Sequence, residues 1–257
     1  MTRDADGGGA TGGPKGPIRD ALRPSLPKRF YKEALRVAAA GGGCEIHLDG
    51  RPLRTPMKRV LVIAGETFAD VVLSEWQAQA DVIDPASMPA TRLANSAVDT
   101  VADNRDAVAA EIVAYAGNDL LCYRAANPAK LVALQDEIWN PILSAVEKDI
   151  GARFVLAQGV MHTPQPETVC EAVASAIRNL DDLQLAALQL ITTITGSAVL
   201  ALAYLKGIAT ADEVWAAAHL DEDWQIAQWG RDEEAEARRA ARERDFRAAT
   251  AALANGP

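Results

Sequence analysis

The sequence predicts an α+β protein, in which a small antiparallel β-sheet-plus-helix N-terminal domain precedes a larger all-helical C-terminal domain. Two patterns carry this prediction. Apolar and polar residues alternate over Cys44–Leu48, which is typical of a strand with one buried face. From residue 66 onward, apolar residues instead recur every three or four positions, as they do on amphipathic helices. The 257 residues, of which 49% are hydrophobic, suffice for a sizeable core.

The N-terminal sheet is predicted from three apolar runs that turn signals separate. These runs cover residues 35–39, 44–48 and 60–63. Three glycines over 41–43 precede the middle run, and Asp49-Gly50 follows it as a strong turn signal. We expect a meander of three or four strands, which leaves one apolar face to be covered. The cover is expected from a helix over 66–80, where Phe68, Val72 and Trp76 lie on one side.

The remaining chain is predicted to be helical, in stretches that prolines punctuate. A capping box at Thr210-x-x-Glu213 opens the last helical region. The run 183–205 carries no charge, but six polar side chains and Gly196 interrupt it. We therefore expect a buried central helix that is broken or kinked near Gly196. Association of this run with a membrane is kept as a less favoured possibility.

Composition divides the chain into three parts. Residues 1–27 contain six glycines, four prolines and only three sizeable apolar residues, which predicts a disordered arm. Residues 28–110 form the predicted β-sheet and helix domain, and residues 111–257 form the helical domain. The arm has no apolar stretch of the kind found in secretory signals, and it contains three aspartates. A bacterial cytoplasmic location is the simplest interpretation.

Charge and cysteine usage exclude several classes of protein. Lys and Arg number 26 against 35 Asp and Glu, so the net charge is −9 and nucleic acid or an anionic membrane is not an expected partner. The three cysteines are Cys44, Cys122 and Cys170, and they form no C-x-x-C motif. They fit buried reduced thiols better than a disulfide framework.

Motifs for cofactors and metals are weak or missing. Gly7, Gly9 and Gly12 match the letters G-x-G-x-x-G, but no strand precedes them and Pro14 follows where a helix would begin. None of the three histidines has a ligand-type neighbour at metal-site spacing. We expect neither cofactor nor metal. The alternative from another class is a soluble enzyme whose site is assembled from dispersed residues, with His162 and Cys122 as candidates.

The segment 212–236 is the most unusual in composition. It contains nine acidic residues against one base, together with three of the five tryptophans: Trp215, Trp224 and Trp229. Five arginines follow over 237–247. Acids early and bases late suit a helix dipole, which is the purely structural interpretation. Tryptophans beside acids also make a good docking surface for a protein, because tryptophan anchors interfaces and charge steers approach.

Several motifs in a fixed order resemble one family, the assembly chaperones that bind the α subunit in the catalytic head of the F-type ATP synthase. The motifs are R-F-Y-K (29–32), L-D-G-R-P-L-R-T-P (48–56), E-W-Q-A-Q (75–79), M-P-A-T-R-L-A-N-S-A-V-D (88–99), D-L-L-C-Y-R-A (119–125), P-Q-P (164–166), T-G-S (195–197) and D-E-D-W-Q-I-A-Q-W-G (221–230). Together they span nearly all of 28–247. Asn140 and Ser96 are slight departures, and the glycine-rich arm lies outside the resemblance.

The resemblance implies a binding protein and not an enzyme. Its expected partner is the unassembled α subunit, whose β-facing interface it would shield, since such an exposed apolar patch aggregates. It implies a partner-binding acid after the last W-G, which is Asp232, Glu233 or Glu234, and we expect Trp224 and Trp229 to bind the partner on the same tryptophan-and-acid surface. Trp76 is expected to pack its helix on the sheet, so that its mutation acts through folding. The protein is expected to be a monomer when free.

Overall fold

A computed structural model describes residues 26–158 and 163–254, so most of the predicted arm and His162 lie outside the described residues. The first part is a four-stranded antiparallel sheet. Its central strand pairs with the first strand along one edge and with the third and fourth strands along the other. The strands are β1 (Ala34–Ala38), β2 (Cys44–Leu48), β3 (Arg51–Pro52) and β4 (Val62–Ile63).

The rest of the described chain is predominantly helical, with one two-stranded parallel pair. This confirms the predicted α+β class. The helices are α1 (Glu66–Gln77), α2 (Pro89–Ser96), α3 (Arg105–Ala116), α4 (Ala129–Ile150), α5 (Glu167–Ile177), α6 (Asp182–Thr195), α7 (Ala198–Leu205), α8 (Ala211–Ala218), α9 (Leu220–Trp229) and α10 (Glu233–Leu253). The parallel pair is β5 (Tyr123–Arg124) with β6 (Ala157–Gln158).

Helix α1 covers the apolar face of the sheet, as its apolar spacing predicts. Phe68 and Val72 are fully buried, and Cys44, Ile46 and Leu48 of β2 are buried on the facing side. The polar residues between them on β2 are only partly buried. The observed period of two in β2 and of four in α1 therefore follows from a single shared interface.

The uncharged run forms two buried helices, α6 and α7, with the predicted break between them. Gly196 adopts φ +67°, a left-handed conformation that L side chains rarely take, and it ends α6. The hydroxyl of Ser197 then accepts a hydrogen bond from the Leu200 amide and starts α7. In the part of the chain that the structure describes, no helix is both long and apolar enough to cross a membrane.

The C-terminal region begins at the predicted capping box. Thr210 and Glu213 exchange side-chain and backbone hydrogen bonds at the start of α8. Helices α8, α9 and α10 make up this region. Helix α10 packs on α6 and α2, so its C-terminal part belongs to the central core. The position predicted to divide the two domains, between residues 110 and 111, falls inside α3.

Candidate functional site

The end of α9 and the start of α10 form a helical hairpin in which few side chains are buried. Leu220 is the only buried residue of α9, which the structure describes in full, and no residue of α10 is buried before Phe246. We call residues 221–245 the acidic hairpin. It carries most of the acidic residues and two of the three tryptophans that the sequence singles out.

Two residues shape the turn of this hairpin. Gly230 ends α9 with φ +92°, a backbone conformation that L side chains rarely adopt. Asp232 is the N-cap of α10, and its carboxylate accepts a hydrogen bond from the Ala235 amide at 2.7 Å. The W-G-R-D sequence is therefore a turn followed by a helix start.

Ion pairs join the two arms of the acidic hairpin. The guanidinium of Arg239 donates to both oxygens of Asp223, which raises the pKa of Arg239. Arg242 lies 3.6 Å from Glu222. Each pair is partly exposed and contributes little to stability, and both pairs link α9 to α10.

The three tryptophans differ in burial along this segment. Trp215 is buried in α8, with ring centroids 3.9 Å from His219 and 5.2 Å from Phe246. Trp224 is half-buried on α9, and Trp229 at the tip is 88% exposed. Trp215 is therefore a core tryptophan, whereas the ring of Trp229 lies at the surface.

The three acids that the sequence leaves as alternatives have different surroundings. Asp232 is occupied by the helix cap, and Glu234 pairs with Arg238 at 2.7 Å. Glu233 is exposed, and among the described residues its carboxylate has no ion-pair or hydrogen-bond partner. Trp229 and Glu233 therefore both lie at the turn of the acidic hairpin, on either side of the N-cap residue Asp232.

A groove of about 550 Å³ runs between the arms of the acidic hairpin. Its lining includes Ile226, Trp229 and Arg239. Sequence reasoning did not single out Ile226 or Arg239. Ile226 could have been found from the sequence, because its three-residue spacing from Trp229 puts both residues on one side of α9. Arg239 becomes visible only when the two helices are paired.

The other motifs of the resemblance form contacts inside the fold. The carboxylate of Glu75 accepts hydrogen bonds at 2.7 Å from the Ala90 amide and from the amide and hydroxyl of Thr91, at the start of α2. This carboxylate joins the E-W-Q-A-Q and M-P-A-T-R motifs. Trp76 is 8% exposed, and its backbone carbonyl accepts a hydrogen bond from the Tyr31 hydroxyl at 2.5 Å.

A second carboxylate, this one fully buried, joins the D-L-L-C-Y and T-G-S motifs. Asp119 is fully buried and accepts from the Leu121 amide, the Ser197 hydroxyl and the Val199 amide at 3.0, 2.7 and 2.9 Å. Burial raises the pKa of Asp119 to about 6, although these hydrogen bonds lower it. Asp119 thereby fixes the start of α7 to a segment far away in the sequence.

Of the two candidates for an enzymatic site, the structure describes only Cys122. Cys122 is buried, and that burial raises its pKa to about 12, so its reactive thiolate form is scarce at neutral pH. His162 lies outside the described residues. His219 stacks on Trp215, and burial lowers its pKa. The described part of the chain holds no cluster of three or more His, Cys, Asp or Glu suited to a metal ion.

The chain is similar to known proteins in its sequence and in its fold. The sequence profile described as ATP12 chaperone protein matches residues 28–147. The protein atp12, mitochondrial, of Schizosaccharomyces pombe is 23% identical over 225 residues, which cover 83% of this chain and 77% of the relative.

Solved structures agree over nearly the whole chain. The crystal structure of Atp12 from Paracoccus denitrificans is 39% identical, with a TM-score of 0.82 over 89% of this chain and 97% of that one. The Atu1473 protein of Agrobacterium tumefaciens is 45% identical, with a TM-score of 0.86 over 94% and 91% of the two chains. From its sequence profile, its fold and these relatives, the chain belongs to the Atp12 family of chaperone proteins.

Proposed function

We propose that the chain is an assembly chaperone of the F-type ATP synthase, which binds the unassembled α subunit of the catalytic head through the acidic hairpin. The exposed Trp229 at the hairpin tip carries the proposal. A tryptophan that is 88% exposed leaves a large apolar surface in water, and burial against a partner recovers that cost. Family membership and the ordered motifs support the identity of the client.

The surroundings of the tip support a division of roles among the predicted site residues. Trp229 supplies the apolar anchor, and the half-buried Trp224 lies five residues earlier on the same helix. Glu233 supplies an unpaired carboxylate that attracts a basic patch of the client. Asp232 acts through the cap and so holds the other two in place, while Glu234 is neutralised by Arg238.

A chaperone of this kind needs only reversible binding. It covers an interface that would aggregate when exposed, and a tighter-binding β subunit then displaces it. This mechanism requires no nucleotide and no catalytic group of its own. We also propose that the protein works in the bacterial cytoplasm, where the new α subunit is made. When free, it is a monomer under this proposal.

The test mixes the purified chain with separately expressed α and β subunits and detects the complexes by native mass spectrometry. We expect a complex with α and none with β. Trp229→Ala and Glu233→Lys are each expected to weaken α binding about tenfold or more, because both remove groups at the tip. The fold should be unchanged, since both side chains are exposed.

Glu171→Lys is the matched control for charge, because Glu171 is exposed on α5, which packs on α3 and α4, and has no ion-pair partner among the described residues. It should bind α like the unmodified chain. No complex with a folded α subunit would refute the proposed client. A complex that is insensitive to both tip variants would refute the proposed surface.

A further inference from the structure

A second surface, of opposite charge, lies on the N-terminal sheet. Residues 28–63 contain eight Lys and Arg against three Asp and Glu, a net charge of +5 in a chain whose total is −9. The acidic hairpin, near the other end of the sequence, begins with acidic residues in excess of basic ones. Arg36 and Arg59 pair with carboxylates outside this range, so the bases that remain without a carboxylate partner, among them Arg51 and Arg54, are the ones suited to an acidic partner segment.

A groove of about 880 Å³ opens within this basic region. We call it the aromatic groove. Its lining includes Phe30, Tyr31, Trp76 and the segment 51–54. The ring of Phe30 is edge-on to that of Tyr31, with 5.4 Å between the ring centroids, and the centroids of Tyr31 and Trp76 are 5.6 Å apart. The three rings therefore form a continuous series.

Phe30 is the exposed member of that series. It is 72% exposed, whereas Tyr31 and Trp76 are both buried. An exposed phenylalanine that begins a row of buried aromatic rings has the character of an interface anchor, because a partner's apolar side chain can pack against both the ring and the groove. The indole Nε1–H of Trp76 has no hydrogen-bond acceptor among the described residues.

Charges around the aromatic groove favour an acidic ligand. Arg51 and Arg54 are exposed at its rim, and neither forms an ion pair with a carboxylate in the described part of the chain. Arg54 donates to the Lys58 carbonyl. The one acid in the lining, Asp49, is occupied, since its carboxylate accepts hydrogen bonds from the amides of residues 32 and 33. The guanidinium groups of Arg51 and Arg54 can therefore pair with carboxylates of a ligand.

We infer that the aromatic groove is a second client-binding surface, which takes an acidic segment carrying a bulky apolar side chain. The apolar side chain packs against Phe30, and the segment's carboxylates pair with Arg51 and Arg54. As a surface for the client, the inference rests on the proposed function. It adds that the client is held at two places of opposite charge, so that its orientation is fixed as well as its identity.

The first experiment uses short synthetic peptides and the full chain. One peptide alternates Asp and Glu with Leu and Phe, and its counterpart has Lys at every acidic position. Calorimetry should show the acidic peptide binding about tenfold or more tightly than the basic one. Phe30→Ala and Arg51→Glu should each weaken the acidic peptide about tenfold. Equal binding of both peptides, binding of neither, or binding that survives both variants would overturn the inference.

Two controls match these variants. Met57 is also an exposed apolar residue of the sheet region, at 64% exposure, but it does not line the groove, so Met57→Ala should leave peptide binding unchanged. Arg178 is exposed at the end of α5, so Arg178→Glu matches the charge reversal. If the controls weaken binding as much as the groove variants, the effect is one of net charge and the inference fails.

The second experiment separates this inference from the proposed function. The same groove variants are titrated with the α subunit, and we expect about a tenfold loss of affinity for each. Unchanged affinity in both, with wild-type binding intact, would reject the groove as a client surface and leave the proposed function standing. Failure of the wild-type chain to bind α, while Phe30 and Arg51 still govern the acidic peptide, would reject the client and leave the groove as a peptide-binding site.

Discussion

Asp119 and Asp232 perform the same local task in two very different parts of the molecule. Each carboxylate accepts hydrogen bonds from backbone amides at the start of a helix. Asp119 is fully buried and also binds the Ser197 hydroxyl, which joins two distant segments. Asp232 is exposed and binds an amide three residues ahead. A buried carboxylate of this kind holds the fold together, whereas an exposed one shapes a surface.

This contrast separates the family motifs into two groups. Glu75 and Asp119 lie within the fold and connect motifs that are distant in sequence. The D-E-D-W-Q-I-A-Q-W-G motif ends beside an exposed tryptophan. Contacts within the core thus account for the first group of motifs, whereas the exposed tryptophan of the last motif is the part that the proposed partner would contact.

The largest effect is expected when the buried carboxylate is removed. Asp119→Ala leaves the Ser197 hydroxyl and the amides of Leu121 and Val199 without their acceptor in the core. We expect a loss of about 3–5 kcal/mol in the free energy of unfolding, because several buried donors lose their partner at once. Urea denaturation followed by circular dichroism measures it. A loss below about 1 kcal/mol would show that water replaces the carboxylate and would break the comparison.

The same residue should make stability depend on pH. The folded pKa of Asp119 is about 6, above the ordinary 3.8, so protonation favours the folded state. Its contribution is therefore complete below about pH 4 and is lost as the pH rises through 6. The linked change is about 2 kcal/mol between pH 4 and pH 7.5.

Urea denaturation at a series of pH values, for the unmodified chain and for Asp119→Asn, tests this dependence. The amide variant lacks the titrating group, so the difference in unfolding free energy between the two proteins should change over that range. A constant difference across the whole series would contradict the assignment of the slope to Asp119.

The smallest effect on stability is expected at the exposed cap. Asp232→Ala removes one hydrogen bond at the start of α10 and should cost about 1 kcal/mol or less, confined to the acidic hairpin. Hydrogen exchange of the amides over 233–236 should speed up, while the core helices keep their protection. Spread of the change to α6 would mean that the hairpin and the core unfold together.

Much of the fold can be predicted from local patterns. The alternation in β2 predicts its burial, and the left-handed glycine at Gly196 marks the break between α6 and α7. The Thr210 capping box marks the start of α8. Each of these signals lies within a few residues, and the same side chains that form the pattern also make the contacts.

The site was less predictable because it depends on contacts between distant segments. The spacing of the three tryptophans does not reveal that Trp215 is buried and Trp229 exposed. That difference depends on how far α9 and α10 extend beyond the helices that pack against them. Nor does the sequence show which acid is unpaired, because the partners of Asp232 and Glu234 depend on where α10 begins.

Helix α10 also has a mechanical consequence. It is continuous over 21 residues, and so about 31 Å long at ~1.5 Å per residue. Its C-terminal third is buried in the core from Phe246 onward, and Arg92 of α2 pairs with Asp245 just before it. A sideways displacement of the tip would therefore be transmitted along one continuous helix to α2 and α6, on which α10 packs.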